Sequence, residues 1–256
     1  MNRIAAAIRS GGRDGPALVA YLTAGYPRRE GFVATLAAVA EAADVVEIGV
    51  PFSDPMADGL TIQRSSRAAL AGGVSLVWLL TELESSGAAF RAPLLLMSYV
   101  NPLFAYGLDA LPAAARRAGI AGFVVPDLPF EESDELARAL SREGIALVQF
   151  VSPTTPPARA ARLAAASEGF VYALTMNGVT GRDAALPEAT LAWLARLKAE
   201  SKVPVCAGFG IRHRGQVEKL APHVDGVIVG SALVEVLERG EDIGAFLRGL
   251  RPSRSD

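Results

Sequence analysis

The sequence has few of the residues on which disulfide, metal and thiol chemistry depend. Its 256 residues include one cysteine, Cys206, and two histidines, His213 and His223. A single cysteine forms no internal disulfide, which fits a reducing compartment, and it joins no thiolate cluster that could hold a metal. The histidines lack the spacing of metal ligands. We therefore expect a cytoplasmic protein without a metal site.

Excess charge and long apolar runs are also missing. Lysine and arginine number 25 against 27 aspartates and glutamates, a formal net charge of -2, so the chain has no basic field for nucleic acid or an anionic membrane. No apolar run approaches the ~18 residues of a membrane span, and the apolar stretch at the start is too short for a signal peptide. Apolar residues nevertheless make up 51% of the chain. These features favour a globular protein that acts on a small molecule.

Short apolar runs recur along the chain with amphipathic stretches between them. Near-continuous hydrophobicity is typical of parallel strands covered on both faces, and the stretches between them predict crossover helices. Eight βα units without a linker predict one TIM (β/α)8-barrel domain over residues 1–256, with an extra N-terminal helix and a polar tail from about Arg251. A doubly wound sheet is the alternative, but its glycine-rich fingerprint is missing after the first run. The runs begin near Ala17, Asp44, Pro93, Ala121, Ile145, Gly169, Val203 and Asp225.

A carboxylate interrupts the second apolar run. Alternation along a strand puts Glu47 on the face opposite Val46 and Ile48, so Glu47 points into the barrel mouth if that aliphatic pair faces the helices. Burial would raise its pKa until it can both donate and accept a proton. We interpret Glu47 as catalytic, against the alternative of an ion pair with an arginine. Asp58 is either a second functional carboxylate or the cap of a helix that starts near Leu60.

Glycines follow the last two apolar runs, where many barrels bind phosphate. Gly208 and Gly210 come after the seventh run, and Gly230 precedes a helix that would begin at Ser231. Backbone N–H groups at such turns and helix starts bind phosphate, although turns need glycine anyway. The long polar loop that begins at Gly178 predicts either a mobile lid or an ordinary flexible connection. A phosphorylated ligand is the favoured interpretation.

The sequence lacks the residues that two common aldolase mechanisms require. Lys198, Lys202 and Lys219 lie on predicted helices or loops away from the carboxyl ends of the strands, so a Schiff-base aldolase has no nucleophile. The two histidines offer no cage for a metal-dependent aldolase. Tyr172, inside the sixth run, either points its hydroxyl into the site or packs. The chemistry that remains is acid–base catalysis by carboxylates.

The motifs of the chain resemble those of the tryptophan synthase alpha chain family, from about Ala17 to Glu238. This resemblance implies retro-aldol cleavage of indole-3-glycerol phosphate to indole and glyceraldehyde 3-phosphate in L-tryptophan biosynthesis. It implies neither a metal nor an organic cofactor. The motifs are EIGVPFSDP at 47–55, ADG at 57–59, NP at 101–102, PDLP at 126–129, GVTG at 178–181, GFG at 208–210 and GS at 230–231.

The resemblance also assigns roles to residues. Glu47 would be the general acid and base at the indole ring carbon, and Asp58 would hold the ring N–H and stabilise the positive charge on the ring. Tyr172 would position the reacting end, and Thr180 would contact the Asp58 loop when the lid closes. Phosphate would be bound by backbone amides of Gly181, Gly210, Gly230 and Ser231. The indole slot would be lined by Tyr21, Met97, Val124, Phe209 and Ile228.

A partner chain is the last implication of the resemblance. Family members assemble with a beta chain, so an alpha-beta-beta-alpha tetramer is expected, with pyridoxal phosphate only in the beta chain. Exposed apolar and polar groups in the loops after strands two, three and four favour a docking surface for the beta chain on that side of the barrel. Alternatively, the prolines of these loops simply stiffen them. The predicted surface comprises Pro51, Phe52, Asp54, Pro55, Asn101, Pro102, Phe104 and Pro129.

Two features depart from the family pattern and leave other functions open. Leu60 stands where a proline usually follows the ADG motif, and Met176 lies in an unusual lid segment; both bear on lid closure and partner signalling. One alternative is a stand-alone lyase that releases free indole. Another is an idle subunit that only activates a beta chain, although Glu47 and Asp58 are both retained. A third is a different phosphate-binding barrel enzyme, such as an isomerase.

Overall fold

Eight parallel strands close into a barrel in the order in which they occur along the chain. The computed structural model describes residues 2–12, 15–175, 186–208 and 210–252. Each strand coincides with one of the predicted apolar runs, which confirms the TIM barrel. The strands are β1 (Ala17–Thr23), β2 (Val45–Gly49), β3 (Leu94–Met97), β4 (Ile120–Val124), β5 (Ala146–Val151), β6 (Val171–Leu174), β7 (Val205–Gly208) and β8 (Gly226–Val229).

Helices connect the strands and cover the outside of the barrel. They present apolar faces to the sheet, as Phe32, Leu36 and Val39 of the first crossover helix do, because residues spaced by three or four share one helix face. A short 3-10 helix, Phe130–Glu132, follows β4. The α-helices of the described ranges are α1 (Arg3–Gly11), α2 (Phe32–Ala42), α3 (Leu60–Ala71), α4 (Leu76–Ser86), α5 (Val100–Tyr106), α6 (Leu111–Arg117), α7 (Asp134–Arg142), α8 (Pro157–Ala166), α9 (Glu188–Glu200), α10 (Arg214–Leu220), α11 (Ser231–Arg239) and α12 (Ile243–Leu250).

Strand alternation separates an outer core from an inner one. Val46 and Ile48 pack in the outer core beneath the helices, whereas Val45 lies in the inner core. Burying each such side chain contributes roughly 1.5–3 kcal/mol. Successive residues point to opposite faces of a strand, so Glu47 must share the inner face with Val45. The predicted direction of Glu47 is therefore confirmed.

The extra N-terminal helix is confirmed and fills one end of the barrel. The Asn2 side chain caps α1 by accepting a hydrogen bond from the Ile4 backbone N–H at 2.8 Å, which satisfies a donor that the helix start leaves free. Ile4 and Ile8, four residues apart on one face, are fully buried in the inner core. The amino end of the barrel is thereby filled with apolar side chains, and the carboxyl end remains for a site.

The helices and strands bear on two questions, whether any helix could span a membrane and how many domains the chain forms. No single helix in the described ranges is long and apolar enough to cross a membrane; α3 and α4 meet that test only as a pair bent by 77°. All eight strands belong to one sheet, which is compatible with one catalytic domain over residues 1–256. That domain assignment stays a prediction.

Candidate active site

A cavity of about 240 Å³ opens at the carboxyl end of the barrel. Every predicted catalytic or substrate-binding residue that the structure describes contributes to its wall, with the exception of Val124. Both predicted carboxylates are present, together with the glycines that follow β7 and β8. The wall is formed by Tyr21, Glu47, Ala57, Asp58, Ile62, Met97, Tyr172, Gly208, Gly210, Ile228, Gly230 and Ser231.

Val124 was expected to line this cavity, but it does not. Its side chain is buried in the inner core of the barrel, against which Met97 also packs. Four residues with predicted or questioned roles, Thr180, Gly181, Phe209 and Met176, lie outside the described residues. The described part of the wall is formed by residues of β1, β2, β3, β6, β7 and β8 and of the segments that follow β2, β7 and β8.

Glu47 is buried at the bottom of the cavity. It lies opposite Tyr21 in the β1–β2 register and only 2% of it is exposed. Its Oε2 atom has no hydrogen-bond partner among the described residues, and no arginine there forms an ion pair with it. Burial, reinforced by the nearby negative charge of Asp58, raises the pKa of Glu47 to about 8. The alternative of a structural ion pair is therefore not supported, and a buried, unpaired carboxyl is typical of a proton-transfer site.

Asp58 also lines the cavity, from the loop between β2 and α3. Burial raises its pKa to about 6, and a hydrogen bond from the Tyr99 hydroxyl opposes that rise; this hydroxyl donates to Oδ2 at 3.1 Å. The cap of α3 is Gly59, and no side chain caps that helix. The helix-cap interpretation of Asp58 is therefore wrong. At neutral pH, Asp58 is ionised while most of Glu47 is protonated.

Tyr99 fixes the Asp58 loop from the end of β3, and the sequence analysis did not identify it. Its hydroxyl accepts a hydrogen bond from the backbone N–H of Ala57 at 2.9 Å, and its ring stacks on Phe52 with centroids 5.2 Å apart. Since Tyr99 follows Met97 by two residues, its position just beyond a strand end was the available signal. Ala57 and Ile62, which also line the cavity, carried no such signal.

Two tyrosines, Tyr21 and Tyr172, line the cavity. A Cβ atom at Gly49 would lie 2.0 Å from the Tyr21 hydroxyl oxygen, so glycine at that position makes room for the Tyr21 ring. Tyr172 both packs and faces the cavity: its ring is 4.7 Å from that of Phe150, centroid to centroid, and it lines the cavity wall. Tyr172 therefore packs in the barrel and also forms part of the cavity wall.

The glycines after β7 and β8 expose backbone groups to the cavity. Gly210 has φ of +39°, which glycine adopts most easily. Gly230 is the N-cap of α11, and Ser231 is its first residue, as predicted. The first N–H groups of a helix have no intrahelical acceptor and carry the positive end of the helix dipole. This side of the cavity is thus suited to an anion such as phosphate.

Comparison with known proteins decides the family. The family described as Tryptophan synthase alpha chain matches residues 9–246. The chain belongs to this family. A tryptophan synthase alpha chain of Desulfovibrio desulfuricans is 42% identical over 251 residues, which cover 96% of this chain and 98% of the relative. One from Chloroflexus aurantiacus is 41% identical, with coverage of 93% and 91%.

Solved structures of the family share the fold. Mycobacterium tuberculosis tryptophan synthase superposes with a TM-score of 0.88 at 36% identity, covering 98% of this chain and 99% of that one. The tryptophan synthase complex of Pyrococcus furiosus gives 0.81 at 32% identity, covering 91% and 97%. The motifs that carried the resemblance thus identified the family correctly.

The predicted docking surface of this alpha-chain family member is only partly exposed. Pro51 was expected to be part of this surface, but its side chain is buried and so is not available for docking. Phe52, Pro55 and Pro102 are half-buried. A second cavity, of about 580 Å³, lies beside Phe52 and extends to Leu70 of α3. The exposed members are Asp54, Asn101, Phe104 and Pro129.

The remaining sequence predictions concern residues away from the cavity. Lys198 lies on α9 and Lys219 on α10, away from the carboxyl ends of the strands as predicted. His213 is the exposed N-cap of α10. Across the described ranges, no three histidine, cysteine or acidic side chains are grouped as metal ligands. Cys206 is buried in the inner core.

Proposed function

We propose that this chain cleaves indole-3-glycerol phosphate to indole and glyceraldehyde 3-phosphate, as the alpha chain of tryptophan synthase in L-tryptophan biosynthesis. Family membership supports the reaction. The observation that carries the residue assignment is the pair of carboxyls in one cavity, whose pKa values are raised to about 8 for Glu47 and about 6 for Asp58. Two carboxyls with separated pKa values suit an acid and an ionised charge stabiliser.

The proposed reaction steps follow from the difference between the pKa values of Glu47 and Asp58. Protonated Glu47 donates its proton to the ring carbon that bears the glycerol phosphate chain, which makes the indole ring cationic. Ionised Asp58 accepts a hydrogen bond from the ring N–H and stabilises the positive charge. The Glu47 carboxylate then removes the proton of the adjacent side-chain hydroxyl. The carbon–carbon bond breaks, the hydroxyl carbon becomes the aldehyde, and the bond electrons return to the ring as indole leaves. We propose that this sequence needs no metal and no organic cofactor.

Substrate phosphate is proposed to lie between Gly210 and the start of α11. Gly210→Val should raise KM for indole-3-glycerol phosphate by tenfold or more, on the order of the affinity that charge-assisted hydrogen bonds to phosphate provide. The strain of a valine at positive φ also affects stability. Gly144→Val is the matched control, because Gly144 also has positive φ and open space around it. Equal KM values for Gly210→Val and the wild type would remove the basis for this phosphate site.

Tyr99 is proposed to hold Asp58 in place and to keep it ionised. Tyr99→Phe removes the hydroxyl that bonds Asp58 Oδ2 and the Ala57 N–H, so the pKa of Asp58 should rise. We expect kcat to fall on the order of tenfold with little change in KM. The acid limb of the pH–rate profile should move to higher pH. An unchanged acid limb would show that Tyr99 does not tune Asp58.

A tryptophan synthase beta chain is the proposed partner, in an alpha-beta-beta-alpha tetramer in the cytoplasm. The solved relative from Pyrococcus furiosus is a tryptophan synthase complex, which supports this proposal. Asp54, Asn101, Phe104 and Pro129, in the segments that follow β2, β3 and β4, are exposed, and Phe104 exposes 56% of its surface. Exposed apolar groups among polar ones are a common feature of docking surfaces.

We expect a cognate beta chain to accelerate cleavage by more than about tenfold, because partner binding can order the active-site loops. Steady-state rates with and without the beta chain, together with co-elution of the two chains, test this expectation. Fast cleavage by the chain alone without co-elution would instead establish a stand-alone lyase. Leu60, which is exposed, and Met176, which lies outside the described residues, are the positions at which partner dependence could differ from the rest of the family.

A further inference from the structure

An acidic side chain outside the cavity joins three of the elements that form the cavity. Glu235 lies on α11, four residues after Ser231, so the two share one helix face. Its Oε2 accepts a hydrogen bond from Arg212 Nη1 at 2.7 Å, and its Oε1 accepts one from Arg212 Nη2 at 2.9 Å. Oε1 also accepts a bond from the Thr61 hydroxyl at 3.3 Å. One carboxylate thus connects α11, the loop after β7 and the start of α3.

The groups bound to Glu235 are close in sequence to the proposed binding and catalytic groups. Arg212 follows Gly210 by two residues, in the loop that we assign to phosphate. Thr61 follows Asp58 by three residues, in the first turn of α3. A bidentate arginine–carboxylate pair fixes both distance and orientation more tightly than a single contact. The bridge therefore restrains the phosphate loop and the catalytic loop relative to each other.

The surroundings of Glu235 hold it in the charged, hydrogen-bonded form. Hydrogen bonds and charge from Arg212 lower the pKa of Glu235 despite partial burial, and Thr61 and Arg239 contribute in the same direction. Arg239 lies on the same helix, 4.0 Å from Oε2. The backbone N–H groups of Arg212 and His213 both donate to the Gln216 side chain, at 2.7 and 3.2 Å, so α10 holds the other end of the same loop. Glu235 is ionised throughout the pH range in which the two catalytic carboxyls titrate.

We propose that Glu235 is a positioning residue that couples the phosphate-binding loop to the catalytic loop, through Arg212 on one side and Thr61 on the other. This inference rests on the proposed function. A misplacement of about 1 Å at a reacting group can cost on the order of a hundredfold in rate. Partly exposed ion pairs add little to global stability, so the main effect of this one is on geometry.

The two arms of the bridge give different kinetic signatures. Arg212→Leu releases the phosphate loop and should raise KM by about fivefold to tenfold, with kcat nearly unchanged. Thr61→Val releases the start of α3 and should lower kcat by a smaller factor, about threefold, with KM nearly unchanged. Glu235→Ala should produce both effects. Adding Arg212→Leu to Glu235→Ala should raise KM by a smaller factor than Arg212→Leu does in the wild type, because the contact between the two residues is already lost.

Glu238→Ala is the matched control for these variants. Glu238 pairs with Arg64 at 2.6 Å, so it links the same two helices, α11 and α3, further from the cavity. Glu235→Gln keeps one acceptor oxygen but replaces the other with an NH2 donor that faces N–H or O–H donors, so it should restore only part of the lost activity. Calorimetric titration of each protein with glycerol 3-phosphate measures the phosphate site without catalysis. Its Kd should increase for Glu235→Ala and Arg212→Leu, and not for Thr61→Val or Glu238→Ala.

The outcomes separate this inference from the proposed function. If wild-type protein cleaves the substrate but Glu235→Ala keeps KM, kcat and the glycerol 3-phosphate Kd within about twofold, the coupling role is wrong. Equal losses in Glu238→Ala would also overturn it, because they would reflect a general α3–α11 contact. Failure of the wild type itself to cleave the substrate would instead contradict the proposed function. The supporting result is a higher KM together with a lower kcat for Glu235→Ala, with the change in KM reproduced by Arg212→Leu and the change in kcat by Thr61→Val.

Discussion

Glu47→Gln is expected to lower kcat by at least about 10²- to 10⁴-fold, the range that general acid–base catalysis supplies. Glutamine preserves the shape of the side chain but neither donates a proton to the ring carbon nor removes one from the substrate hydroxyl. Substrate affinity should hardly change. Glu47 is buried and its Oε2 has no hydrogen-bond partner in the described parts of the chain, so replacing that oxygen breaks no hydrogen bond there.

Three measurements check this result. Single-turnover cleavage gives the chemical rate, titration with glycerol 3-phosphate gives the affinity of the phosphate end, and thermal unfolding reports the fold. The unfolding midpoint at neutral pH should stay close to that of the wild type, because the buried carboxyl is already mostly protonated there. If Glu47→Gln retained more than about half of the wild-type rate, Glu47 would not carry the proton.

Asp58→Asn should lower kcat by about 10²- to 10³-fold, the typical cost of removing one preorganised stabiliser of a charged transition state. The side-chain oxygen can still accept the ring N–H, so KM should change little. Only the negative charge opposite the cationic ring is lost, and that charge matters most after protonation.

The pH dependence gives Asp58→Asn a second signature. Activity requires ionised Asp58 and protonated Glu47, so the wild-type profile should rise with pH near 6 and fall near 8. In Asp58→Asn the rise near pH 6 should vanish. The fall should move to lower pH, because the charge of Asp58 helps to raise the pKa of Glu47.

An exposed carboxylate provides the control for this variant. Asp109 does not line the cavity, and Asp109→Asn should leave kcat and the pH profile unchanged. A change confined to KM in Asp58→Asn would contradict the stabilising role. So would an intact rise near pH 6 in that variant.

The barrel and the direction of Glu47 were predictable because both depend on local patterns. Continuous apolar runs specify buried parallel strands. Strand alternation then places Glu47 and Val45 on the inner face once Val46 and Ile48 face the helices. Val124 was placed in the cavity wall by the family resemblance, and it does not line the cavity, although Ile228 of the same inner core does.

Contacts between distant loops were not predictable. Tyr99 acts on Asp58 from 41 residues away, and its role depends on how the loops after β2 and β3 fold against each other. Glu235 meets Thr61 across 174 residues and Arg212 across 23. Pro51 was expected at a partner surface because its loop is apolar, but the loop packs that side chain inward. Tertiary packing decides all these positions, and no periodicity in the sequence encodes it.

The most direct test of the account is an assay of purified chain on indole-3-glycerol phosphate, with indole and glyceraldehyde 3-phosphate measured separately. Wild-type protein should form the two products in equal amounts, faster with a tryptophan synthase beta chain present, and Glu47→Gln should form almost none. Absence of both products from the wild type, with and without the beta chain, would contradict the proposed cleavage.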